Sequence, residues 1–177
     1  MIYSSDTLSI SELVPDDALQ LNKLLVSNTE RFIRFLPLTL ADNRTLESTR
    51  NYIERKIKAA DHKEEFVYVM KDQYQIQIIG LIILKQIHWD TKQGEFAYCI
   101  GERYKGKGLM SEAIRAVSLY VSQELGLKTL HIISHKTNES SVNVALNAGY
   151  KWKKTLVKEY KSLNETPMDM ELFELKT

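Results

Sequence analysis

Arg103-Tyr104-Lys105-Gly106-Lys107-Gly108 sets three cations around two glycines, a spacing suited to holding phosphate. Glycine lets the backbone bend sharply and lets a pyrophosphate approach it closely. The strand-like run Glu95–Ile100 precedes this loop, and a helical pattern begins at Leu109 and runs to about Leu125. The first turn of a helix offers free N–H groups at the positive end of its dipole. Strand, glycine turn and helix in that order predict a backbone cradle for a phosphate-bearing ligand.

Two phosphate motifs come close and fail. Gly101, Gly106 and Lys107 satisfy the first seven places of the NTPase loop, but the eighth is Gly108 rather than the Ser or Thr that holds magnesium. The dinucleotide fingerprint wants a third glycine where Ser111 stands. It also wants an acid about twenty positions on, where Thr129-Leu130-His131-Ile132-Ile133-Ser134 has none.

Arg-x-x-Gly-x-Gly between a strand and a helix fits without a missing place, and it resembles the pyrophosphate loop of the GNAT acetyltransferases. About thirty residues on, Asn138-Glu139-Ser140-Ser141 leads to Gly149-Tyr150, similar to that superfamily's Asn-x-x-Ser segment ending in Gly-Phe or Gly-Tyr. The N-terminal half resembles the RimJ/RimL-like branch, the ribosomal-protein N-terminal acetyltransferases. Arg34-Phe35-Leu36-Pro37, Thr45-Leu46-Glu47-Ser48-Thr49 and Ile79-Gly80-Leu81-Ile82 fall in that branch's order. The likeness runs from about Leu8 to Leu175. The stretch from Lys151 to Lys158 departs from the branch's Glu-Gly and following arginine, in a region that helps form the acceptor pocket. Ala97 stands where a glycine usually precedes the strand tyrosine.

The resemblance implies an α/β (α+β) fold: a single GNAT-like domain over residues 1–177, with a mixed, mostly antiparallel central sheet flanked by helices. Two of its strands, Glu95–Ile100 and Leu130–Ser134, would splay apart around the pantetheine arm. It implies acetyl-CoA as cosubstrate, with no metal. The cosubstrate would be held by Tyr98, Cys99 and Ile100 on the strand and by Arg103, Tyr104, Lys105, Gly106, Lys107, Gly108 and Leu109 around the loop. Asn138 and Ser141 would complete the set. The implied activity is direct transfer of an acetyl group to a primary amine, either a protein N-terminal α-amine or a small-molecule amine. A non-catalytic CoA-binding or sensing module is the alternative.

Such a transfer needs a neutral amine, a donor for the oxyanion and a proton for the departing thiolate. A backbone N–H near Tyr98–Ile100 suits the oxyanion. Ser141 is the candidate thiolate acid, and Glu95, acting through a water, the candidate base. Asn138, Ser140 and Ser141 also have helix-capping chemistry, and Glu95 is equally consistent with a solvated strand start. Near neutral pH about one α-amine in ten is already unprotonated, far more than for lysine, so positioning can do much of the work. Cys99 has no histidine beside it in sequence and reads as packing.

Composition bounds the rest. A chain of 177 residues suits one domain with a sizeable core. Its 24 basic and 23 acidic residues leave +1, no overall drive toward nucleic acid or anionic membrane. Lys151, Lys153, Lys154 and Lys158 form a local basic cluster. Trp89 and Trp152 read as packing residues, without the basic–aromatic interleaving of an RNA-binding surface. One cysteine excludes an internal disulfide. The start lacks a signal-peptide pattern, and no segment approaches eighteen apolar residues. A cytoplasmic protein, with a homodimer suggested by the resemblance, is the expectation. His131 and His135 sit four apart across a strand end, not on a helix, so a metal site is not expected.

Around the loop, Leu8–Leu13 alternates as a first strand. Pro15 opens a helix with Leu19, Leu21, Leu24, Leu25 and Val26 as its apolar face. Phe32–Asn43 reads as an irregular substrate wall, and Leu46–Ala60 as a helix turning Tyr52, Ile53 and Ile57 inward. Phe66–Met70 and Ile76–Ile87 read as strands joined by a polar turn at Lys71–Gln75, the second of them central. Ile114, Val117, Val121 and Leu125 mark the helix after the loop, with Gly126 at its C-cap. Asn138–Ala148 is a last helix. Leu156–Lys161 and Met168–Leu175 form a closing hairpin around Asn164–Pro167.

Overall fold

The computed structural model describes residues 1–74, 77–160 and 167–177. Ile76, Gln75 and the hairpin tip at Asn164–Thr166, all read above from sequence, lie outside the described residues. Hydrogen bonding joins eight strands in the order β1-β2-β3-β4-β5-β6-β8-β7. They are β1 (Tyr3–Ser4), β2 (Leu8–Glu12), β3 (Phe66–Asp72), β4 (Ile78–His88), β5 (Gln93–Ile100), β6 (Thr129–Ser134), β7 (Lys151–Tyr160) and β8 (Met168–Lys176). The helices are α1 (Ala18–Ser27), α2 (Thr29–Phe32), α3 (Pro37–Ala41), α4 (Leu46–Asp61), α5 (Leu109–Glu124) and α6 (Glu139–Asn147). The sheet is open, mixed and mostly antiparallel, as expected. No helix among the described residues is long and apolar enough to cross a membrane.

The chain divides into two compact units, Met1–Ile83 with Tyr98–Lys105, and Leu84–Ala97 with Gly106–Thr177. The divisions fall within β4, within β5 and inside the glycine loop.

In the first unit β1, β2 and β3 pair antiparallel, with Tyr3 opposite Ile10 and Ile10 opposite Met70. β3 buries Val67 through Met70, and β4 buries every residue from Ile78 to Leu84. Such unbroken runs belong to strands covered on both faces, as the sequence predicts for β4. α4 begins in a reciprocal cap. Thr45 Oγ1 accepts from Ser48 N at 3.1 Å, and Ser48 Oγ accepts from Thr45 N at 3.0 Å. It buries Thr49, Tyr52 and Ile53, while Ile57 is only half-buried.

α1 corrects the expected apolar face. Ala18, Leu21, Leu24 and Leu25 are buried, whereas Leu19 and Val26 are about half exposed. Leu19 and Val26 are seven apart, two turns along one face, and that face points to solvent. Phe32–Asn43 is not irregular either: it carries the end of α2 and all of α3, which starts at Pro37 in the position that tolerates a missing N–H.

In the second unit β5 and β6 run parallel from Gln93 opposite Thr129 to Phe96 opposite Ile132. β6 then pairs antiparallel with β8, and β8 with β7. α5 is the crossover between the parallel strands. It buries Met110, Ala113, Ile114, Val117 and Val121. Leu125 is the C-cap, half-buried, rather than a member of the buried stripe. Gly126 follows it with φ +73, and Leu127 N donates back to Val121 O at 3.3 Å. Gly94 packs closely: a β-carbon there would lie 2.8 Å from Leu84 Cδ1, so that side chain would have to shift. Ser118 Oγ and Tyr150 OH satisfy each other at 2.8 Å in the core.

β7 starts five residues before the expected Leu156, and almost its whole length is exposed. Trp152 is not a packing residue, whereas Trp89 is mostly covered. Trp152 is 57% exposed and donates its indole N–H to Glu171 at 2.5 Å, and Trp89 is 37% exposed.

Candidate active site

The loop after β5 is held by short bonds, some within the turn and some to β4 and the residue before it. Gly101 N donates to Ile79 O at 2.8 Å, and a β-carbon on Gly101 would come within 3.3 Å of Leu24 Cδ1. A single tight turn, Glu102–Tyr104, follows, with Tyr104 N donating to Gly101 O and Lys105 N to Glu102 O. Tyr104 OH accepts from Gln77 Nε2 at 2.6 Å. Partial burial raises the Tyr104 phenol above its usual range, with the Gln77 bond pulling the other way. Arg103 and Lys105 are exposed and make no ion pair with a carboxylate among the described residues.

Gly106 and Gly108 both have φ +76, the left-handed region that side chains resist. A β-carbon on either would meet nothing within 4 Å. Neither glycine is there to relieve crowding within the protein. Both permit a backbone conformation and leave its outer side open. Gly108 is the N-cap of α5 and supplies no side-chain cap, so the first-turn N–H groups, beginning at Leu109, lack the usual Ser, Thr or Asp acceptor. The two open glycines and the first-turn N–H groups suit an anion by their chemistry.

β5 carries three of the other candidates. Cys99 is buried, and burial pushes its thiol up to about 12, the Leu81 backbone and Arg31 pulling the other way. It is not a thiolate near neutral pH. Tyr98 and Ile100 flank it, half-buried. Glu95 pairs with Lys85 at 2.9 Å and is only 17% exposed, so it is not a solvated strand-start carboxylate. Burial along β5 does not follow one strict alternation. The buried positions are Gly94, Phe96 and Cys99, which change parity between Ala97 and Tyr98.

α6 resolves the capping question. Asn138 is the N-cap, its Oδ1 accepting from Ser141 N at 3.3 Å. Ser141 therefore receives the cap through its backbone and does not supply it; its side chain is half-buried in the first turn.

By unit, Tyr98, Cys99, Ile100, Arg103, Tyr104 and Lys105 belong to the first, and Glu95, Gly106, Lys107, Gly108, Leu109, Asn138 and Ser141 to the second. Sequence reasoning missed Arg31 and Asn28, which bind the residues just before the loop, and Lys85. Their partners lie 10 to 74 positions away, and no periodic pattern marks them.

Residues 7–151 match the family model described as the acetyltransferase (GNAT) domain. The chain belongs to the GNAT acetyltransferases. Among curated relatives, "Probable N-acetyltransferase YjcK" of Bacillus subtilis (strain 168) is 28% identical over 145 residues, 81% of this chain and 80% of that protein. The same fold is seen in the ribosomal-protein-S5-alanine acetyltransferase from Vibrio fischeri, with TM-score 0.90, 19% identity, and coverage of 98% of this chain and 95% of that one. RimL, a ribosomal α-N-protein acetyltransferase solved in complex with coenzyme A, gives TM-score 0.88 at 18% identity, covering 99% and 97%. The expected membership and RimL-like likeness hold. As a GNAT enzyme the chain carries out acetyl-CoA-dependent N-acetylation. Nothing favours a non-catalytic CoA-binding module.

Proposed function

We propose that this GNAT enzyme transfers the acetyl group directly to a primary amine in a ternary complex, with the loop at Arg103–Leu109 as the pyrophosphate seat. The single observation that carries the reading is the pair of left-handed glycines with open outer sides leading into an uncapped helix start. Arg103, Lys105 and Lys107 add charge, and backbone N–H groups supply the directed bonds.

Beyond Phe96, the backbone of Tyr98–Ile100 is assigned to the pantetheine arm and to the oxyanion. The neutral amine attacks the thioester carbonyl, the new C–N bond forms, and one backbone N–H donates to the developing oxyanion. The C–S bond then breaks, and the Ser141 hydroxyl donates to the departing thiolate and relays it a proton taken up from water, so that the serine ends as a hydroxyl. The proton leaving the amine passes through a water to Glu95, where the Lys85 ammonium stands beside the carboxylate. No step uses the thiol of Cys99, which burial keeps protonated. Asn138 caps α6, which orients Ser141, and its side-chain amide N–H is assigned to the pantetheine carbonyl.

The acceptor is a protein N-terminal α-amine or a small amine. The exposed β7 strand from Lys151 to Lys158 sets this chain apart from the RimL-like pattern there. The enzyme works in the cytoplasm, and a homodimer would elute at twice the 20.5 kDa chain mass. A panel of N-terminal peptides, polyamines, amino acids and amine antibiotics, read by amine-dependent release of free CoA thiol, tests the reading. Release with any primary amine supports it. Tight acetyl-CoA binding without release for any member of the panel counts against direct transfer.

A further inference from the structure

Glu102 is an acid just before the anion-binding loop, next to Arg103. Left alone it would repel the pyrophosphate that the loop is built to hold. In the structure it is taken up by Arg31 of α2. Arg31 Nε lies 2.6 Å from Glu102 Oε2. The same guanidinium donates through Nη1 to Ile100 O at 3.3 Å and to Asn28 Oδ1 at 3.2 Å. Asn28 Oδ1 also accepts from Glu102 N at 3.1 Å. One arginine and the Asn28 C-cap of α1 thus grip the last residue of β5 and the first turn of the loop by three bonds, across 69 to 74 residues of sequence, and are bonded to each other by the fourth. The Arg31 side chain is 34% exposed, so it is partly withdrawn from water, and a planar fork suits three simultaneous acceptors.

We propose that Arg31 is a positioning residue for the cofactor loop: it neutralises Glu102 and fixes the Ile100–Glu102 backbone, so that the cradle presents a net positive, preorganised face to the pyrophosphate of acetyl-CoA. This rests on the loop being the acetyl-CoA seat. The arrangement makes a sign-specific prediction. Removing Arg31 leaves Glu102 unneutralised, and acetyl-CoA binding weakens by about threefold to tenfold, the scale of a partly exposed charge acting near an anion. Removing Glu102 as well takes away the repulsion and restores part of that affinity. A merely structural role would make the second loss add to the first.

The test is calorimetric titration of acetyl-CoA into the full chain and into Arg31→Ala, Glu102→Ala, the double variant and Arg31→Lys, at low and high salt, with the melting temperature of each. The expected order of affinity is native, then Arg31→Lys, then the double variant, with Arg31→Ala weakest. The Arg31→Ala deficit shrinks at about 1 M salt, where the screening length falls to about 3 Å. With an accepted amine, KM for acetyl-CoA rises while kcat changes little. Native-like binding by Arg31→Ala, or a double variant as weak as Arg31→Ala, overturns the inference while leaving the acetyl-CoA seat intact. If Arg31→Ala does not fold, Arg31→Lys against Arg31→Lys/Glu102→Ala makes the same comparison. Failure of the native chain to bind acetyl-CoA would instead overturn the seat itself.

Discussion

Gly108→Ala separates a ligand cradle from an ordinary turn. Its φ of +76 puts the new side chain in the left-handed region, which costs about 1–2 kcal/mol. Nothing within 4 Å adds a clash. A domain of this size loses about 2–4 °C of melting temperature per kcal/mol, so the fold survives with a drop of roughly 2–8 °C. Binding responds differently, because the methyl group occupies the open outer side of the cradle. Losing one charge-assisted N–H bond to phosphate costs about 1.5–3 kcal/mol, or about tenfold to a hundredfold in affinity. Gly126→Ala is the matched control. Gly126 has φ +73 and empty space around its β-carbon, but it lies beyond the other end of α5, about 25 Å along the helix. Calorimetry with acetyl-CoA and thermal melts on both variants decide the matter. Similar melting losses with an affinity loss only in Gly108→Ala are expected. Native affinity in a folded Gly108→Ala would refute the assignment of this loop.

Three further outcomes follow from the same site and its surroundings. Ser141→Ala should lower kcat by at least tenfold with little change in acetyl-CoA affinity, measured by steady-state thiol release; an unchanged rate would leave Ser141 with only its place in the first turn of α6. Because burial holds the Cys99 thiol up to about 12, the native enzyme should resist a charged disulfide reagent at pH 8 and Cys99→Ala should keep its activity within several-fold; rapid labelling with inactivation would contradict this. Glu174 is held below the ordinary carboxylate range by Lys153 first and then by His131. A depressed carboxylate stabilises the fold above its unfolded value of about 4.3 and loses that contribution as pH falls through the folded value. Acid melts should therefore show Glu174→Gln losing less stability than the native chain below about pH 4.5, and parallel curves would refute it.

What the sequence revealed, and what it hid, follows from the range of the forces involved. The loop, α5 and the α6 cap were legible because glycine conformation, capping and helical spacing act over a few residues. β4 was legible because a strand covered on both faces must be apolar throughout. The face of α1 was misread because Leu19 and Val26 are apolar yet point to solvent, and periodicity alone does not say which apolar side a neighbour covers. α2 and α3, at four and five residues, are too short to show a period. The Lys85–Glu95 pair and the Arg31–Glu102 grip depend on chain packing between separate elements, which residue types at either end do not announce. Trp152 reads as packing for want of basic–aromatic interleaving around it, but an edge strand leaves its ring in water.

The central claim is that the glycine loop seats acetyl-CoA, and calorimetric titration of the native chain with acetyl-CoA, against magnesium-ATP as the comparison ligand, tests it most directly. The account predicts saturable binding of acetyl-CoA in the micromolar range and none of magnesium-ATP, since Gly108 offers no hydroxyl for the metal. Folded protein that takes up no acetyl-CoA, or that prefers magnesium-ATP, would contradict it.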